Sequence, residues 1–202
     1  MKTKLTNDAE KNKMNAFNKT AVEKEDVNYN LPEGLTGAKV VALCYQGLVE
    51  KDYGDGPKQK DIYELIFATH KQNEFGEHYT IGLEFEAFIS KAGASRMTTF
   101  SKIIKGAKWA FGADNKLSEL LGKKAGLQII EKVSGTGKKY PKIDSFLDFD
   151  DTKGYEETGK IILPPWFGDK DRYKDVLCLD NVMVKVKDQA EPSKLADLHL
   201  PY

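Results

Sequence analysis

The strongest constraint in this chain is an order of periodicities. Between residues 31 and 150, three stretches alternate apolar and polar residues as strands do. One stretch then repeats with helical spacing, and two more strand-like stretches meet at a glycine-containing turn. A chain with the order β-β-β-α-β-β must bury one face of each strand in a shared core. It must also place its helix between the third and fourth strands.

The cleanest alternation is residues 77–88. Tyr79, Ile81, Leu83 and Phe85 fall on one side, and His78, Thr80, Gly82, Glu84 and Glu86 on the other. Residues 61–70 alternate Ile62, Glu64, Ile66 and Ala68 with Tyr63, Leu65, Phe67 and Thr69. Residues 36–50 are apolar on both parities, with Val41, Leu43 and Tyr45 against Val40, Ala42 and Cys44. That pattern predicts a first strand covered on both faces. Gly47 predicts a bulge or bend within it, and residues 51–60 a loop carrying Tyr53.

Ser95 is the predicted N-cap of a helix running to about Phe111 and ended by Gly112. Met97, Phe100, Ile103, Ile104, Ala107 and Phe111 form its apolar stripe, with Lys102, Lys105 and Lys108 off it. One or two more turns are expected over residues 115–121. Residues 124–133 and 138–149 are the last two strands, joined by Ser134-Gly135-Thr136-Gly137. Pro141 has no N–H to give a ladder and favours an edge position for the last strand. This order predicts a mainly β protein with a five-stranded OB-fold barrel. Such barrels bind oligonucleotides or oligosaccharides on strands 2 and 3 and the flanking loops. Residues 31–150 are the expected barrel, 1–30 a flexible N-terminal arm and 151–202 a C-terminal extension. The compact apolar patch at residues 161–167, with two prolines and Trp166, suits an extension that packs on the barrel or mediates assembly.

Charge adds a second clue. The formal net charge is zero, yet residues 99–142 hold 10 lysines against 3 acidic residues. The basic centre is flanked by segments of net −2 and −5. A basic centre between acidic ends suits a polyanion, although a solvated surface reads the same way. Single-strand binding needs cations along a backbone path and flat rings for unstacked bases. The cation candidates are Lys123, Lys124, Lys132, Lys138, Lys139 and Lys142, with Lys102, Lys105 and Lys108 on the helix, and the ring candidates are Tyr45, Tyr53, Tyr63, Tyr79 and Tyr140. Glu84 and Glu86 share one face of the third strand and oppose that assignment, unless the path keeps to the lysine side.

Other chemistries find little footing. Gly135-Thr136-Gly137-Lys138-Lys139 lacks the leading glycine and the Ser/Thr of a phosphate loop, so a hairpin turn is expected. No catalytic motif is present, and an enzyme is not expected. Asp148, Asp150 and Asp151 read as a solvated strand end rather than a metal site. No cofactor or metal is expected. Two cysteines and no apolar leader point to a reducing cytoplasm, and no apolar run is long enough for a membrane.

Leu120-Leu121-Gly122-Lys123-Lys124, a strand, Gly137-Lys138-Lys139-Tyr140 and Ile143-Asp144-Ser145-Phe146 form a series of short words. With the entry Leu31-Pro32-Glu33-Gly34, the series resembles the OB-fold single-stranded-DNA-binding proteins of tailed bacteriophages. The resemblance covers residues 31–150 and implies sequence-independent binding of single-stranded DNA in phage replication or recombination, in the bacterial host cytoplasm. Replication or recombination proteins are then further candidate partners, and the extension a candidate site of homo-oligomer formation. The alternative is a non-catalytic phage structural or assembly module.

Overall fold

The computed structural model describes residues 31–52, 54, 56–86, 95–106, 116–148, 160–161, 163, 172–180 and 182. The expected N-terminal arm, Tyr53, Lys108, Phe111, Gly112, Asp150, Asp151 and Trp166 lie outside that set. The described chain is mainly β. Its strands are β1 (Gly34–Asp52), β2 (Pro57–Gln72), β3 (Glu77–Glu86), β4 (Lys124–Val133), β5 (Lys139–Leu147), β6 (Lys160–Ile161) and β7 (Asp175–Cys178). Among the described residues, one α-helix, α1 (Arg96–Lys105), and a 3-10 turn at Leu117–Leu120 lie between β3 and β4. None of the described helices is long and apolar enough to cross a membrane.

The described strands form one sheet in the order β5-β4-β1-β2-β3-β6, with β7 paired to β1. Every pairing is antiparallel except β3–β6. The sheet is strongly coiled. Phe67 on β2 and Phe146 on β5 belong to strands three steps apart, which a flat sheet would hold ~14 Å apart. Their ring centroids are 6.3 Å apart, with Phe100 of α1 at 5.2 and 5.0 Å from the two. Both ends of the sheet therefore share one interior, lined by Val40, Leu43, Leu65, Phe67, Leu83, Phe100, Leu127, Ile129 and Ile143. The described sheet is not closed, because no ladder joins β3 to β5.

β1 makes this coiling possible. Its register with β2 shifts between Val40 and Ala42 and again between Tyr45 and Gly47. Gly47 has φ +97°, a conformation costly for any residue with a Cβ, and it supplies the bend that the sequence predicts. β1 also changes partner along one edge. Gly34–Lys39 pair with β4, and Ala42–Tyr45 pair with β7. The two-sided apolar pattern of β1 follows. Val40 and Leu43 face the interior, while Val41, Ala42 and Cys44 face a second, outer core. That outer core is completed by Ile66, Ala68, Ile161, Leu163, Tyr173, Val176 and Val182. The described parts of the C-terminal segment thus join the sheet as β6 and β7 and complete its outer core.

Some expected boundaries move. Residues 51–60 are largely strand, because β1 and β2 stay paired out to Asp52 and Pro57. The Asp52 carboxylate accepts the Gly54 and Gly56 N–H groups at 2.7 and 3.2 Å and closes the short turn. α1 begins as predicted, with Ser95 Oγ accepting the Thr98 N–H at 3.0 Å, but it ends at Lys105, capped by Gly106 rather than Gly112. The Ser134–Gly137 segment is a hairpin turn, with Ser134 Oγ accepting the Lys138 N–H at 3.0 Å. β5 lies at the edge of the sheet, as Pro141 requires.

Candidate nucleic-acid interface

Strand parity decides which lysines share a surface. On β4 and β5 the pairs Leu127–Phe146 and Ile129–Ile143 point into the interior. The pairs Gln128–Ser145, Ile130–Lys142 and Lys132–Tyr140 therefore point outward. Between β1 and β4, Ala38–Ala125 point inward, while Leu35–Gln128, Gly37–Gly126 and Lys39–Lys124 point outward. The outer surface of these three strands carries Lys39, Lys124, Lys132, Lys142 and Tyr140. None of its paired positions is occupied by Asp or Glu. Exposed Asp144 falls at the register shift between Gln128 and Ile129, outside this pairing. Apolar groups also reach solvent there, with Leu35 59% exposed and Leu147 43%. Gly126 lies directly beneath Leu147, and a Cβ at that position would stand 3.2 Å from the leucine Cβ.

The expected site residues separate into groups. Lys124, Lys132, Lys142 and Tyr140, the last 44% exposed, lie on this one surface. Lys123 is exposed in the turn before β4, where its carbonyl accepts the Val40 N–H at 2.9 Å, and Lys138 is exposed at the hairpin tip. Lys139 belongs to the opposite surface of the hairpin, since it pairs with Val133. Its ammonium is 2.7 Å from Glu131, and the hydrogen bond to that carboxylate raises its pKa. The Glu33 carboxylate accepts the Glu131 N–H, so the acidic groups at this end collect beside Lys139. Tyr63 is 8% exposed, its ring centroid 4.9 Å from Tyr45 and 6.0 Å from Phe85 in the interior. Tyr79 is half-buried against the same core. The Tyr63 ring therefore presents no open stacking face. On α1, Lys105 is paired with Glu119 at 2.9 Å.

The outer surface of β2 and β3, where the sequence places the ligand, has a different character. Glu64 and Glu84 are direct cross-strand neighbours there. Lys51 pairs with Glu84 at 2.6 Å and Lys60 with Glu86 at 3.0 Å. Glu64 is buried, and its Oε2 accepts from Gln46 at 3.2 Å, Arg172 at 3.1 Å and Tyr173 at 2.6 Å. The Glu64 side chain lies across Gly82, where a Cβ would come within 1.9 Å of Oε1, so only glycine leaves room for it. Burial and this carboxylate push the Tyr173 hydroxyl far above its ordinary pKa, keeping it a neutral donor. Arg172 also lies 5.2 Å from the Tyr173 ring centre. The network bolts the C-terminal segment to β2.

Sequence reasoning missed Lys39, Leu35, Ile130 and Leu147 on the lysine surface. The available signal was parity, since Lys39 shares the parity of exposed Leu35. Among the described residues no group of His, Cys, Asp and Glu has the arrangement of a metal site. Cys44 and Cys178 are free thiols, and burial pushes Cys178 up to about 12 and Cys44 well above its ordinary value. No protein-family model matches this chain, and no curated protein is significantly similar to it.

Proposed function

We propose that this protein is a non-enzymatic, sequence-independent single-stranded-DNA-binding protein built on an open OB-type barrel. The observation that carries the reading is the outward surface of β1, β4 and β5. There Lys39, Lys124, Lys132 and Lys142 accompany exposed Tyr140 and exposed leucines, with no Asp or Glu at the paired positions. Lysine ammoniums suit phosphates, and rings with apolar patches suit bases freed from a duplex. A duplex presents phosphates but hides its base faces, so this mixture favours a single strand.

The strand order supports the barrel. β3-β2-β1-β4-β5, with a helix between β3 and β4, is the OB order with a gap between β3 and β5. The phage resemblance of residues 120–146 points the same way, toward replication or recombination in a bacterial host's cytoplasm. The rival reading as a structural or assembly module drew on the apolar patch at residues 161–167. Ile161 and Leu163 of that patch are buried against the chain's own sheet, so these two need no second subunit to cover them.

The test is fluorescence anisotropy with labelled oligo-dT and a matched duplex across a salt series. Four lysine–phosphate contacts predict a log–log salt slope near −3, from about −0.7 per contact on single strands. The single strand should bind more tightly at every salt concentration. Equal affinity for both forms, or a slope near zero, rejects the reading.

A further inference from the structure

The lysine surface has two ends, and both are built. At one end Lys39 and Lys124 stand opposite each other, just before β1 leaves β4 for β7. Beyond that point the outer surface of β1 is occupied: Val41, Ala42 and Cys44 are buried beneath Tyr173, Val176 and Val182. The Leu179 N–H donates to the Val41 carbonyl at 3.0 Å, so the C-terminal segment walls off the surface next to Lys39. At the other end Lys132 faces Tyr140, and the strands finish at the Ser134–Gly137 turn. Between the ends the floor holds Leu35, Ile130, Leu147 and the Gly37–Gly126 pair. Lysine thus sits at both ends, with Lys142 beside Ile130 next to the hairpin end, while the stretch between holds the glycine pair, the leucines, Gln128 and Ser145, with exposed Asp144 at the register shift.

Resting on the single-strand reading above, we infer that this surface is a short footprint with two phosphate clamps and an apolar floor, and that Lys39 of β1 is its inner terminal contact. Lys124 and Lys132 are eight positions apart on β4. At ~3.4 Å per residue the track is ~27 Å long. That length takes about eight nucleotides at the ~3.4 Å spacing of stacked bases, and fewer as the strand is stretched. The footprint is therefore ~4–8 nucleotides, at the short end of the ~4–16 spanned by single OB folds. The clamps hold phosphates at the ends, while bases lie on the leucines between them and on Tyr140 beside Lys132.

A labelled oligo-dT series of 4, 6, 8, 12 and 20 nucleotides, read by anisotropy on the full chain, tests this. Affinity should climb to about eight nucleotides and then gain only in proportion to the added registers, with a second copy loading by about twenty. Lys39→Ala should weaken the 8-mer about 5-fold while changing the 4-mer less than about 2-fold, because a 4-mer can use the other clamp. Affinity that keeps climbing steeply past twelve nucleotides overturns the footprint while leaving single-strand binding intact. An equal loss at all lengths in Lys39→Ala overturns Lys39 as the terminal contact. Absence of single-strand binding at every length sinks the underlying reading instead. Thermal melting of Lys39→Ala, expected within about 2 °C of the parent, shows that the length-dependent loss is not misfolding.

Discussion

The outer surface of β1, β4 and β5 and the outer surface of β1, β2 and β3 belong to one coiled sheet but differ in charge pairing and in cover. On the first, lysines stand at both ends of a strip whose paired positions hold no Asp or Glu. On the second, Lys51 and Lys60 are each held by a glutamate of β3, and buried Glu64 is held by Arg172, Tyr173 and Gln46. Lysines on one sheet can thus stand opposite non-acidic residues or be paired with glutamates. The difference lies in what the neighbouring strand presents at the facing position. It also lies in what covers the surface. The second carries the apolar side chains Val41, Ala42, Ile66 and Ala68, which need a cover, and the C-terminal segment supplies it.

The sharpest way to break this comparison is to strip charge from each surface in turn. Replacing Lys39, Lys124, Lys132 and Lys142 together with alanine should lower oligo-dT affinity by about 100-fold or more near 0.1 M salt and flatten the salt slope. Replacing Lys51 and Lys60 should change affinity less than about 3-fold, since both are committed to glutamates. Anisotropy titrations of both variants decide it; a larger loss from the second pair would move the site to β2 and β3.

Glu64→Ala should separate stability from binding. It strands the buried Tyr173 hydroxyl and removes the ion pair with Arg172, whose side chain is 40% exposed and so only partly dependent on it. A loss of about 2–3 kcal/mol in chemical denaturation is expected, with oligo-dT affinity of the folded fraction unchanged. An unaltered denaturation midpoint would mean that the C-terminal segment is held by its apolar contacts alone.

Tyr140→Ala should cost about 1–2 kcal/mol of oligo-dT affinity with the fold intact, because the ring is exposed beside Lys132. Lys139→Ala should cost almost nothing, because Lys139 lies on the other side of the hairpin against Glu131. A loss at Lys139 equal to that at Lys132 would show that the strand wraps the hairpin tip.

The smallest effect concerns the outer core. Cys44 and Cys178 have thiols raised by burial, so at pH 8 the native protein should react with iodoacetamide far more slowly than the same protein in denaturant. Raised thiol pKa values mean that the neutral forms stabilise the fold. That contribution is complete below the ordinary value near 9 and is lost as pH rises toward about 12 for Cys178. Native alkylation as fast as in denaturant would mean that the C-terminal segment opens readily.

Much of the fold was legible because strand and helix periodicities are local. Ser95 caps the helix, Gly47 marks the bend, and the two-sided apolar run of β1 signals a second core from its composition alone. The helix end was misplaced because the apolar stripe past Ala107 continued the pattern while Gly106 supplied the cap. Residues 51–60 looked like a loop because glycine and proline are strong turn signals, and they carry no record of the ladder that runs beside them. Of the proposed lysine surface, Lys124, Lys132, Lys142 and Tyr140 were singled out beforehand by charge and the hairpin, and the register places them on one side of the sheet. Tyr63 lies in the interior and Tyr79 is half-buried against the same core, which the sequence could not tell because tyrosine on a strand has no sign for inside or outside until the register is known.

By itself the sequence determined the mainly β order of elements, the hairpin turn, the edge position of β5 and the clustering of lysine in residues 99–142. These rest on neighbours within a few positions. Only the tertiary structure decided that Lys39, 85 positions before Lys124, stands opposite it. It also decided that Lys139 turns away from Lys132, and that the β2–β3 surface is neutralised and partly covered. Register is the physical reason: shifting a strand by one residue exchanges its two faces, and register is set by bulges and distant partners that no local window contains.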